Sequence, residues 1–341
     1  MSPGTVEAFT GPAGEWNAFI ASAPGATHCH RHEWLGVMSA AFGHETLALA
    51  VRDGNGSLSG VLPLVRVRSM LFGHYLVSLP YLNDGGPLGS DYAVTALAGD
   101  AVRLADESRV KLLELRSRAA LPLDLRVSQR KITVLLDLER DPEAVFKRLP
   151  SKLRSQVRRP AREGVEVRFG PDQVLPFYEV FARHMRDLGT PVMPRRFFQQ
   201  IASHFGNDAW FAAAWLDGRP IAGGAGLRQG GEFEITWASS LREFNAISPN
   251  MGLYWAFIER AATEGCSIFN FGRCTVDSGT HRFKKQWGGR DVQLHWYQHG
   301  PDSVTPSPDQ GGMMSLGPRV WRHLPLKLAT ALGPQIVRGI P

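Results

Sequence analysis

Hydrophobic and polar positions follow a pattern that occurs twice along the chain. In residues 31–68 and again in residues 195–230, helix-like spacing ends at a Phe-Gly pair, and two apolar strands follow. An Asp-Gly pair separates the strands in each segment, namely Asp53-Gly54 and Asp217-Gly218. Asp-Gly between two apolar runs is typical of a tight hairpin turn. The pattern therefore predicts a helix followed by a β-hairpin in both segments.

The order of elements further along the chain repeats as well. A helix predicted around 91–107 precedes a strand that ends at Arg116, and a helix predicted around 249–264 precedes a strand that ends near Arg273. Repetition of this kind indicates two copies of one structural unit. The fold class predicted is α/β (α+β), with two copies of one domain. A chance likeness between common α/β elements is the alternative.

The repeat divides the chain into three parts, an N-terminal domain over residues 1–140, a C-terminal domain over 141–300 and a tail over 301–341. The tail starts as a Pro/Gly-rich linker. From residue 316 onward it has no acidic residue and carries four cations and a tryptophan, which are Arg319, Arg322, Lys327, Arg338 and Trp321. Such a basic amphipathic segment either packs on a domain or lies on anionic lipid.

Composition narrows the class of protein. The chain has 341 residues, of which 43% are hydrophobic and 21% charged, as in an ordinary globular protein. A formal charge of +6 favours a polyanionic partner without requiring one. Three cysteines cannot form a disulfide framework. The sequence shows neither a signal peptide nor an apolar run of the ~18 residues that a membrane span needs. We therefore expect a cytoplasmic protein, soluble or peripheral at the inner face of the membrane.

Residues 266–298 hold the most informative set of polar side chains. A buried-type strand leads to Arg273, and a polar loop with Asp277 and Ser278 follows. Lys284 and Lys285 come next, on a segment expected to be extended, in which consecutive side chains point to opposite sides. Ligands of open α/β sheets bind beyond the carboxyl ends of strands, which is where these side chains are expected. Arginine can bind a carboxylate or phosphate, and lysine can stabilise an oxyanion. The alternative is an Arg273–Asp277 ion pair beside two solvated lysines.

The string FGRCTVDSGTHRFKKQWGG resembles the signature FGRS…DSGTYRFKKQWG of FemAB-related proteins. The resemblance is closest to the subgroup associated with exosortase/PEP-CTERM systems and exopolysaccharide loci. Further matching strings, such as HRHEWLGVMSAAFGHE and SPNMGLYWAFIERAATEGC, extend it over nearly the whole chain. The fold that it implies is a pair of tandem GNAT-like acyltransferase domains, here with a basic C-terminal tail.

The resemblance also implies an activity. Fem-type enzymes move an aminoacyl group from aminoacyl-tRNA to an amine of a cell-wall precursor, and the lysine of their FK motif, here Lys284, lies at the transfer site. We expect an acyl- or aminoacyltransferase that forms an amide on an exopolysaccharide or envelope precursor. Lys284 and Arg273 would stabilise the oxyanion or a donor phosphate. Asp277 or a group of the substrate would accept the amine proton, with Asp84 as a weaker alternative. A non-catalytic protein that binds a glycan or lipid-linked precursor in an export system is the alternative.

The acyl donor is less clearly indicated. GNAT enzymes that use acyl-CoA hold its pyrophosphate in a Gly-rich loop before a helix. The equivalent connection, residues 240–250, contains no glycine, and Pro249 removes one amide. We therefore expect no bound cofactor, with aminoacyl-tRNA or another acyl donor as co-substrate. On a helix from Ser151, Arg154 and Arg158 share a face that suits phosphates, unless that face is only solvated.

Other residues are weaker candidates for substrate binding. They are Lys285, Ser278, Tyr254, Trp237, His74, Asn83 and Asp84. The string THCHRHEW brings together His28, His30 and His32, which alternation would place on one side of an extended chain. A three-histidine metal site is conceivable there. Imidazoles that line a substrate site or cap a helix are preferred, so no metal is predicted.

Overall fold

The computed structural model describes residues 5–301 and 313–341, so most of the predicted linker lies outside the described residues. The strands are β1 Val6–Ala8, β2 Glu45–Arg52, β3 Leu58–Ser69, β4 Gly73–Val77, β5 Leu88–Gly89, β6 Leu112–Ser117, β7 Arg126–Ser128, β8 Ile132–Asp137, β9 Glu166–Phe169, β10 Ala209–Leu216, β11 Arg219–Gln229, β12 Glu232–Ser240, β13 Ile268–Cys274, β14 Arg290–Gln293 and β15 His295–His299. The helices are α1 Ala13–Ser22, α2 Glu33–Phe42, α3 Asp91–Glu107, α4 Pro142–Arg148, α5 Ser151–Arg162, α6 Val174–Leu188, α7 Arg195–Phe205, α8 Pro249–Thr263, α9 Gly279–Lys285, α10 Met313–Trp321 and α11 Leu326–Val337.

The described chain divides into two compact units. The first unit comprises residues 5–132, 292–301 and 338–341, and the second comprises residues 133–291 and 313–337. The first has a mixed sheet in the order β1-β2-β3-β4-β6-β15-β7, with β5 paired to β3, and the second has the order β14-β8-β13-β12-β11-β10-β9. In each sheet two central neighbours run parallel, β4 beside β6 and β12 beside β13.

The two units repeat one order of elements. Apart from the two-residue strand β5 before α3, the first runs β1-α1-α2-β2-β3-β4-α3-β6, and the second runs β9-α6-α7-β10-β11-β12-α8-β13. Each helix pair precedes an antiparallel hairpin, and each third helix connects the two parallel strands. The fold class predicted from the sequence repeat, two copies of one α/β domain, is confirmed.

One strand of each sheet comes from outside the repeated segment. β15 follows the second unit in the chain but pairs antiparallel with β6 and β7 of the first unit. β8 precedes the second repeat and lies beside β13. The units therefore differ from the predicted ranges 1–140 and 141–300, because residues 133–140 belong to the second unit and residues 292–300 to the first. The polar segment ERDPE, residues 139–143, interrupts the apolar pattern after β8. No local pattern, however, shows which sheet a strand joins.

The two predicted hairpin turns differ in detail. Asp217 and Gly218 form a two-residue turn, both with positive φ (50° and 74°), as predicted for an Asp-Gly pair. The turn between β2 and β3 spans residues 53–57, and the positive φ of 81° falls on Gly56 rather than on Gly54. The Asp53 carboxylate accepts the backbone N–H groups of residues 55 and 57, at 2.9 and 3.0 Å, which stabilises the longer turn. The hairpin predicted at Asp53-Gly54 is therefore present, but its turn is longer than the two-residue turn at Asp217-Gly218.

Each sheet buries apolar side chains on both faces. In the first unit, α3 packs through Leu97 on Leu62 and Leu113, while α1 packs through Trp16 and Ile20 on the other face. In the second unit, two aromatic sets fill the core, which are Phe177, Phe181, Phe198 and Phe211 on one side and Trp210, Phe233, Phe257 and Phe269 on the other. Alternation of apolar residues along the strands produces both layers.

The tail packs on the second unit. In α11, Ala329 is 1% exposed and Gly333 lies against Val192, while Arg186 donates from Nη1 to the backbone oxygen of Leu324 at 3.2 Å. Of the two sequence-based alternatives, packing on a domain is therefore observed. The opposite face of α11 leaves Leu328 and Leu332 exposed. Among the described residues, no helix combines the length and apolar character that a membrane crossing requires.

Tyr297 tests the placement of β15 in the first unit. Its ring is 5% exposed, and its hydroxyl accepts from the Leu121 N–H at 2.7 Å and donates to the Leu121 oxygen at 3.1 Å. Tyr297→Ala should destabilise the first unit by about 3–5 kcal/mol, since it empties a buried aromatic position. Amide hydrogen exchange read by mass spectrometry should therefore accelerate in β6 and β7. The exposed neighbour Val127→Ala serves as the control. Unchanged exchange in β6 would contradict the placement.

Candidate functional site

The parallel strands β12 and β13 of the second unit are joined over only part of their length. Their register runs from Glu232 opposite Ile268 to Glu234 opposite Asn270. Beyond these pairs, within the described residues, residues 235–240 of β12 and residues 271–274 of β13 continue without a shared register. We call this region the β12–β13 opening. It lies at the carboxyl ends of both strands, where ligands of α/β sheets bind.

A β-bulge shapes the β12 side of the opening. Ala225 of β11 pairs with Trp237 and Gly226 pairs with Ile235, so Thr236 is an extra residue in β12. A bulge bends its strand and changes the direction in which its neighbours point. The buried Thr236 hydroxyl has no hydrogen-bond partner in the described structure. A polar group in this state is a ready partner for a ligand oxygen or nitrogen.

Asn270 organises the start of the opening on the β13 side. Its amide nitrogen donates to carboxylate oxygens of Glu232 at 2.8 Å and Glu234 at 3.3 Å. Its amide oxygen accepts from the Thr133 hydroxyl at 2.6 Å and from the Gly272 N–H at 2.8 Å. These contacts use both donors and both acceptor positions of the side chain. Asn270 therefore ties β12, β8 and the end of β13 together.

Lys284 binds the end of β13. Its Nζ donates to the backbone oxygens of Gly272 at 2.6 Å and Arg273 at 2.8 Å, and the side chain is buried. Gly272 has a φ of 70°, a conformation that glycine adopts readily and that bends the strand at this point. An ammonium has three donors, and the two carbonyls occupy two of them. Of the predicted catalytic residues, Lys284 and Arg273 are thus brought into direct contact through the Arg273 backbone.

The environment of Lys284 changes its charge near neutral pH. Burial lowers the pKa of Lys284 to about 8, although the nearby Cys274 thiol and Glu234 carboxylate oppose the shift. Burial disfavours the charged form of an amine, which gives the direction of this change. The ammonium is therefore the main form below pH 8 and loses its proton readily above it.

Lys284 and Lys285 lie in the last turn of α9, not in an extended segment. Consecutive helical residues point about 100° apart. The Lys285 Nζ accordingly takes a different direction, donating to the Gly289 oxygen at 2.8 Å and lying 3.2 Å from a carboxylate oxygen of Asp291. Lys285 is exposed, whereas Lys284 is buried. The two lysines thus occupy environments of opposite character.

The polar residues before Lys284 form the start of α9. Ser278 is its N-cap, and its hydroxyl accepts the N–H of His281 at 3.1 Å. Asp277 has a positive φ of 61°, lies exposed, and donates its backbone N–H to Nδ1 of His281 at 3.0 Å. The other ring nitrogen of His281 lies 3.1 Å from Asp291. Ser278 therefore has a structural role, while the exposed Asp277 carboxylate is accessible to a substrate.

Aromatic side chains of α8 and β13 pack against α9 beside Lys284. Tyr254 of α8 packs edge-on against Phe283 with ring centres 4.9 Å apart and stacks on Phe271 at 5.9 Å. Burial raises the pKa of Tyr254, so its hydroxyl stays protonated. Trp237, the other predicted aromatic, stands perpendicular to Phe197 at 5.6 Å and is 7% exposed. Tyr254 thus packs on Phe283, the residue before Lys284, while the described ring contacts of Trp237 are with the aromatic core.

The connection from β12 to α8 is a 3-10 helix over Arg242–Ile247 followed by Ser248 with a positive φ of 56° and Pro249 as the first residue of α8. No glycine-rich loop precedes α8. Proline at the first helical position is tolerated because its missing N–H would not bond within the helix. The amino end of α8 therefore offers a ligand one backbone N–H fewer than a helix that starts without proline.

The basic helix α5 lies where the sequence predicts it, over Ser151–Arg162. It buries Leu153 and Val157 and packs on α8. Arg154 donates from Nη1 to the Lys147 oxygen at 3.0 Å, and the Arg158 guanidinium lies over the Phe146 ring at 4.8 Å. Arg158, Arg159 and Arg162 are exposed. The outer face of α5 is therefore cationic and open to a partner.

The remaining candidates, His74, Asn83 and Asp84, lie in the first unit. His74 is on β4 opposite Arg68, and burial, followed by Arg68 and Arg66, lowers its pKa. Asn83 and Asp84 are each 6% exposed. The Asp84 carboxylate accepts the N–H of the next residue at 2.9 Å. Asn83 and Asp84 are therefore buried within the first unit, whereas His74 is half-buried.

The histidine string forms a short helix rather than an extended chain. His28–His30 is a 3-10 helix, so the predicted alternation of His28, His30 and His32 on one side is wrong. Nδ1 of His30 accepts the Thr27 N–H at 3.0 Å and so caps this helix, while burial lowers the pKa of His30. In the described parts of the chain, no group of three or more His, Cys, Asp or Glu side chains is placed to hold a metal ion.

Three further polar residues of this region were not predicted from the sequence, namely Asn270, Glu234 and His281. A polar residue within an apolar strand is the signal for the first two, since Asn270 interrupts SIFNF and Glu234 interrupts FEITW. Their partners lie tens of residues away in the chain. His281 stands where the FemAB-related signature that this string resembles has tyrosine, and its contact with Asp291 is visible only in the fold.

Part of the second unit matches a known protein family in sequence. Residues 148–285 match the family model described as an acetyltransferase (GNAT) domain. The matched range lies within the second unit and contains β12, β13 and α9. No protein of curated function matches the chain significantly in sequence.

Solved structures extend the likeness to both units. The crystal structure of FemX has a TM-score of 0.66 at 14% identity, over 85% of this chain and 97% of that one. L-PGS from Bacillus licheniformis has a TM-score of 0.58 at 14% identity, over 92% and 98%. A conserved protein of unknown function from Bacteroides thetaiotaomicron has a TM-score of 0.59 at 10% identity, over 86% and 99%. The chain therefore has a tandem GNAT-like fold, and residues 148–285 of its second unit match a GNAT domain.

Proposed function

We propose that the protein transfers an acyl or aminoacyl group to an amine and that the second unit carries out the reaction. The observation that carries this proposal is the buried ammonium of Lys284 at the β12–β13 opening, where β13 bends at Gly272. Two of its donors hold backbone oxygens, and the third can bind the oxygen of an acyl group. The match of residues 148–285 to an acetyltransferase domain supports the reaction class.

The reaction is an aminolysis. The neutral acceptor amine attacks the acyl carbonyl of an ester or thioester, which forms a C–N bond and a tetrahedral oxyanion. The Lys284 ammonium stabilises this oxyanion, and the exposed Arg273 binds donor phosphate or adds positive charge. The C–O or C–S bond then breaks, and Asp277 passes the proton that it has taken from the amine to the leaving group. Orientation of the two substrates supplies much of the remaining acceleration.

We propose aminoacyl-tRNA, or another phosphate-bearing acyl donor, as co-substrate, with no resident cofactor. The Fem resemblance and the cationic outer face of α5 support a polyanionic donor. The connection before α8 lacks the glycines of a usual pyrophosphate loop, which weighs against acyl-CoA.

The acceptor that we propose is an amino group of an exopolysaccharide or cell-envelope precursor. This choice and the exosortase/PEP-CTERM-associated subgroup rest on the sequence resemblance, and a cytoplasmic location at the inner membrane face rests on composition. A non-catalytic role in binding the same precursor would retain the fold but would not need the Lys284 ammonium.

Lys284→Met tests the transfer site. It removes the cation while keeping an apolar stem, and turnover should fall ~10²–10³-fold, as for loss of one oxyanion partner. Since the Gly272 and Arg273 oxygens also lose a donor, stability should fall by about 1–3 kcal/mol. Amide formation from charged tRNA should therefore be measured per folded molecule.

Lys285→Met is the matched control. Lys285 is exposed and pairs with Asp291, so the change should alter turnover only a few-fold. A Lys284→Met variant that stays within a few-fold of the parent, or a larger loss in Lys285→Met, would refute the assignment of the transfer site.

The pH profile separates a chemical role of Lys284 from a structural one. With a pKa of about 8, the ammonium is present below that pH and is lost above it. The ratio of parent to Lys284→Met turnover should stay constant below about pH 7 and fall up to tenfold per pH unit above pH 8. Taking the ratio cancels the titration of the acceptor amine. A ratio that stays flat through pH 10 would leave Lys284 a structural role only.

The α5 helix can be tested as a donor-binding surface. Arg158→Gln/Arg159→Gln/Arg162→Gln removes three exposed cations, which should weaken tRNA binding about tenfold or more at low salt. The salt dependence of log Kd should become shallower by about two. Arg103→Gln/Arg126→Gln/Arg130→Gln, three exposed cations of the first unit, is the charge-matched control. Equal loss in both triple variants would mean that only net charge matters.

A further inference from the structure

The turn between β3 and β4 presents two apolar side chains directly to solvent. The relative accessible surfaces of Met70 and Leu71 are 105% and 84%, higher than for any other large apolar residue among those described. Exposed leucine or methionine alone is ordinary on a protein surface. Two adjacent ones at the end of a long hairpin form a protruding apolar tip, which we call the β3–β4 tip.

Hydrogen bonds at the base of the β3–β4 tip fix its conformation. The Ser69 hydroxyl accepts the N–H groups of Leu71 at 3.3 Å and Phe72 at 3.1 Å. The Phe72 oxygen accepts from the Tyr75 hydroxyl at 2.5 Å and from Lys111 Nζ at 3.3 Å. A braced turn loses little conformational entropy when its apolar residues are transferred to another phase.

Cations surround the base of the tip. Arg66 and Arg68 lie on β3, Lys111 reaches the Phe72 oxygen, and Arg338 adjoins Gly339, which lies against Ser69 and Phe72. The acidic side chain paired with this group is Glu45, whose carboxylate is 3.7 Å from Arg66 and 3.3 Å from Arg68. Four cations against one carboxylate give the base of the tip a positive surplus.

We propose that the β3–β4 tip inserts into the interfacial region of an anionic lipid bilayer, with the surrounding cations on the headgroups. Apolar residues that penetrate beside basic residues at headgroup level are the combination that binds anionic membranes. A protein partner fits less well, because a stable protein interface buries about 800 Å² on each side and this tip offers two side chains. The inference goes beyond the proposed transfer reaction and uses none of its residues.

Vesicle binding by the full-length protein tests the proposal. We expect sedimentation with vesicles of phosphatidylcholine and phosphatidylglycerol, at least about tenfold weaker binding to phosphatidylcholine alone, and a decrease at high salt. Met70→Ser/Leu71→Ser should weaken binding to the anionic vesicles about tenfold or more. The matched control is Leu328→Ser/Leu332→Ser on α11, two exposed leucines at 43% each.

Binding that is lost only in the α11 variant would overturn the proposal and assign membrane contact to the tail. Equal binding by the parent and Met70→Ser/Leu71→Ser would overturn it as well, as would a parent that binds neither kind of vesicle. None of these results bears on amide formation by Lys284.

A probe at the tip reports insertion directly. Cys29, Cys266 and Cys274 are buried, so a Leu71→Cys variant can be labelled selectively with an environment-sensitive fluorophore. Its emission should shift to the blue and rise when anionic vesicles are added, and a Val127→Cys label should stay unchanged. An unchanged Leu71→Cys label on bound protein would overturn insertion.

Discussion

The contact between the Lys284 ammonium and the last carbonyls of β13 is the constraint on which the candidate site depends. A glycine with positive φ bends β13, and the Gly272 and Arg273 oxygens lie beyond the last residue pair that joins β12 to β13, where both accept from Lys284 Nζ. A buried carbonyl needs a donor, and α9 supplies one through Lys284. The same contact fixes α9, orders the approach to Arg273 and buries a cation whose charge changes near pH 8. Structure and chemistry are therefore linked through one amine.

The fold was predictable because its signals are local. Helix periodicity, apolar strands and Asp-Gly pairs each occupy fewer than twenty residues, and their repetition identified two copies of one domain. The exchange of β8 and β15 was not predictable, because pairing such as Tyr297 with Leu115 joins residues far apart in sequence. The turn at Asp53 shows the same limit on a small scale. Its two hydrogen bonds to residues 55 and 57 favoured a longer turn over the one that Asp53-Gly54 suggested.

For the site, the sequence indicated residues but not their geometry. Lys284 came from a short FK string, and Ser278 and Asp277 came from the loop before it. The helical conformation of α9, which separates Lys284 from Lys285, reversed the expected extended segment. Asn270 and Glu234 were visible only as polar residues within apolar strands. Their importance follows from contacts that cross three strands, and no local pattern records such contacts.

The arginines near the ends of β6 and β13, Arg116 and Arg273, have opposite environments. This difference supports assigning the proposed chemistry to the second unit. In the first unit, Arg116 is 3% exposed, and its guanidinium donates to Glu114 at 2.8 Å and to the backbone oxygens of Leu79 and Leu82 at 3.1 and 2.8 Å. Trp296, from the exchanged strand β15, covers it at 4.5 Å. A guanidinium satisfied and covered in this way fixes a core rather than binding a ligand. In the second unit, Arg273 is exposed beside a strand end that Lys284 holds. The two similar frameworks thus differ at this strand end, where the arginine is buried and covered in the first unit and exposed in the second.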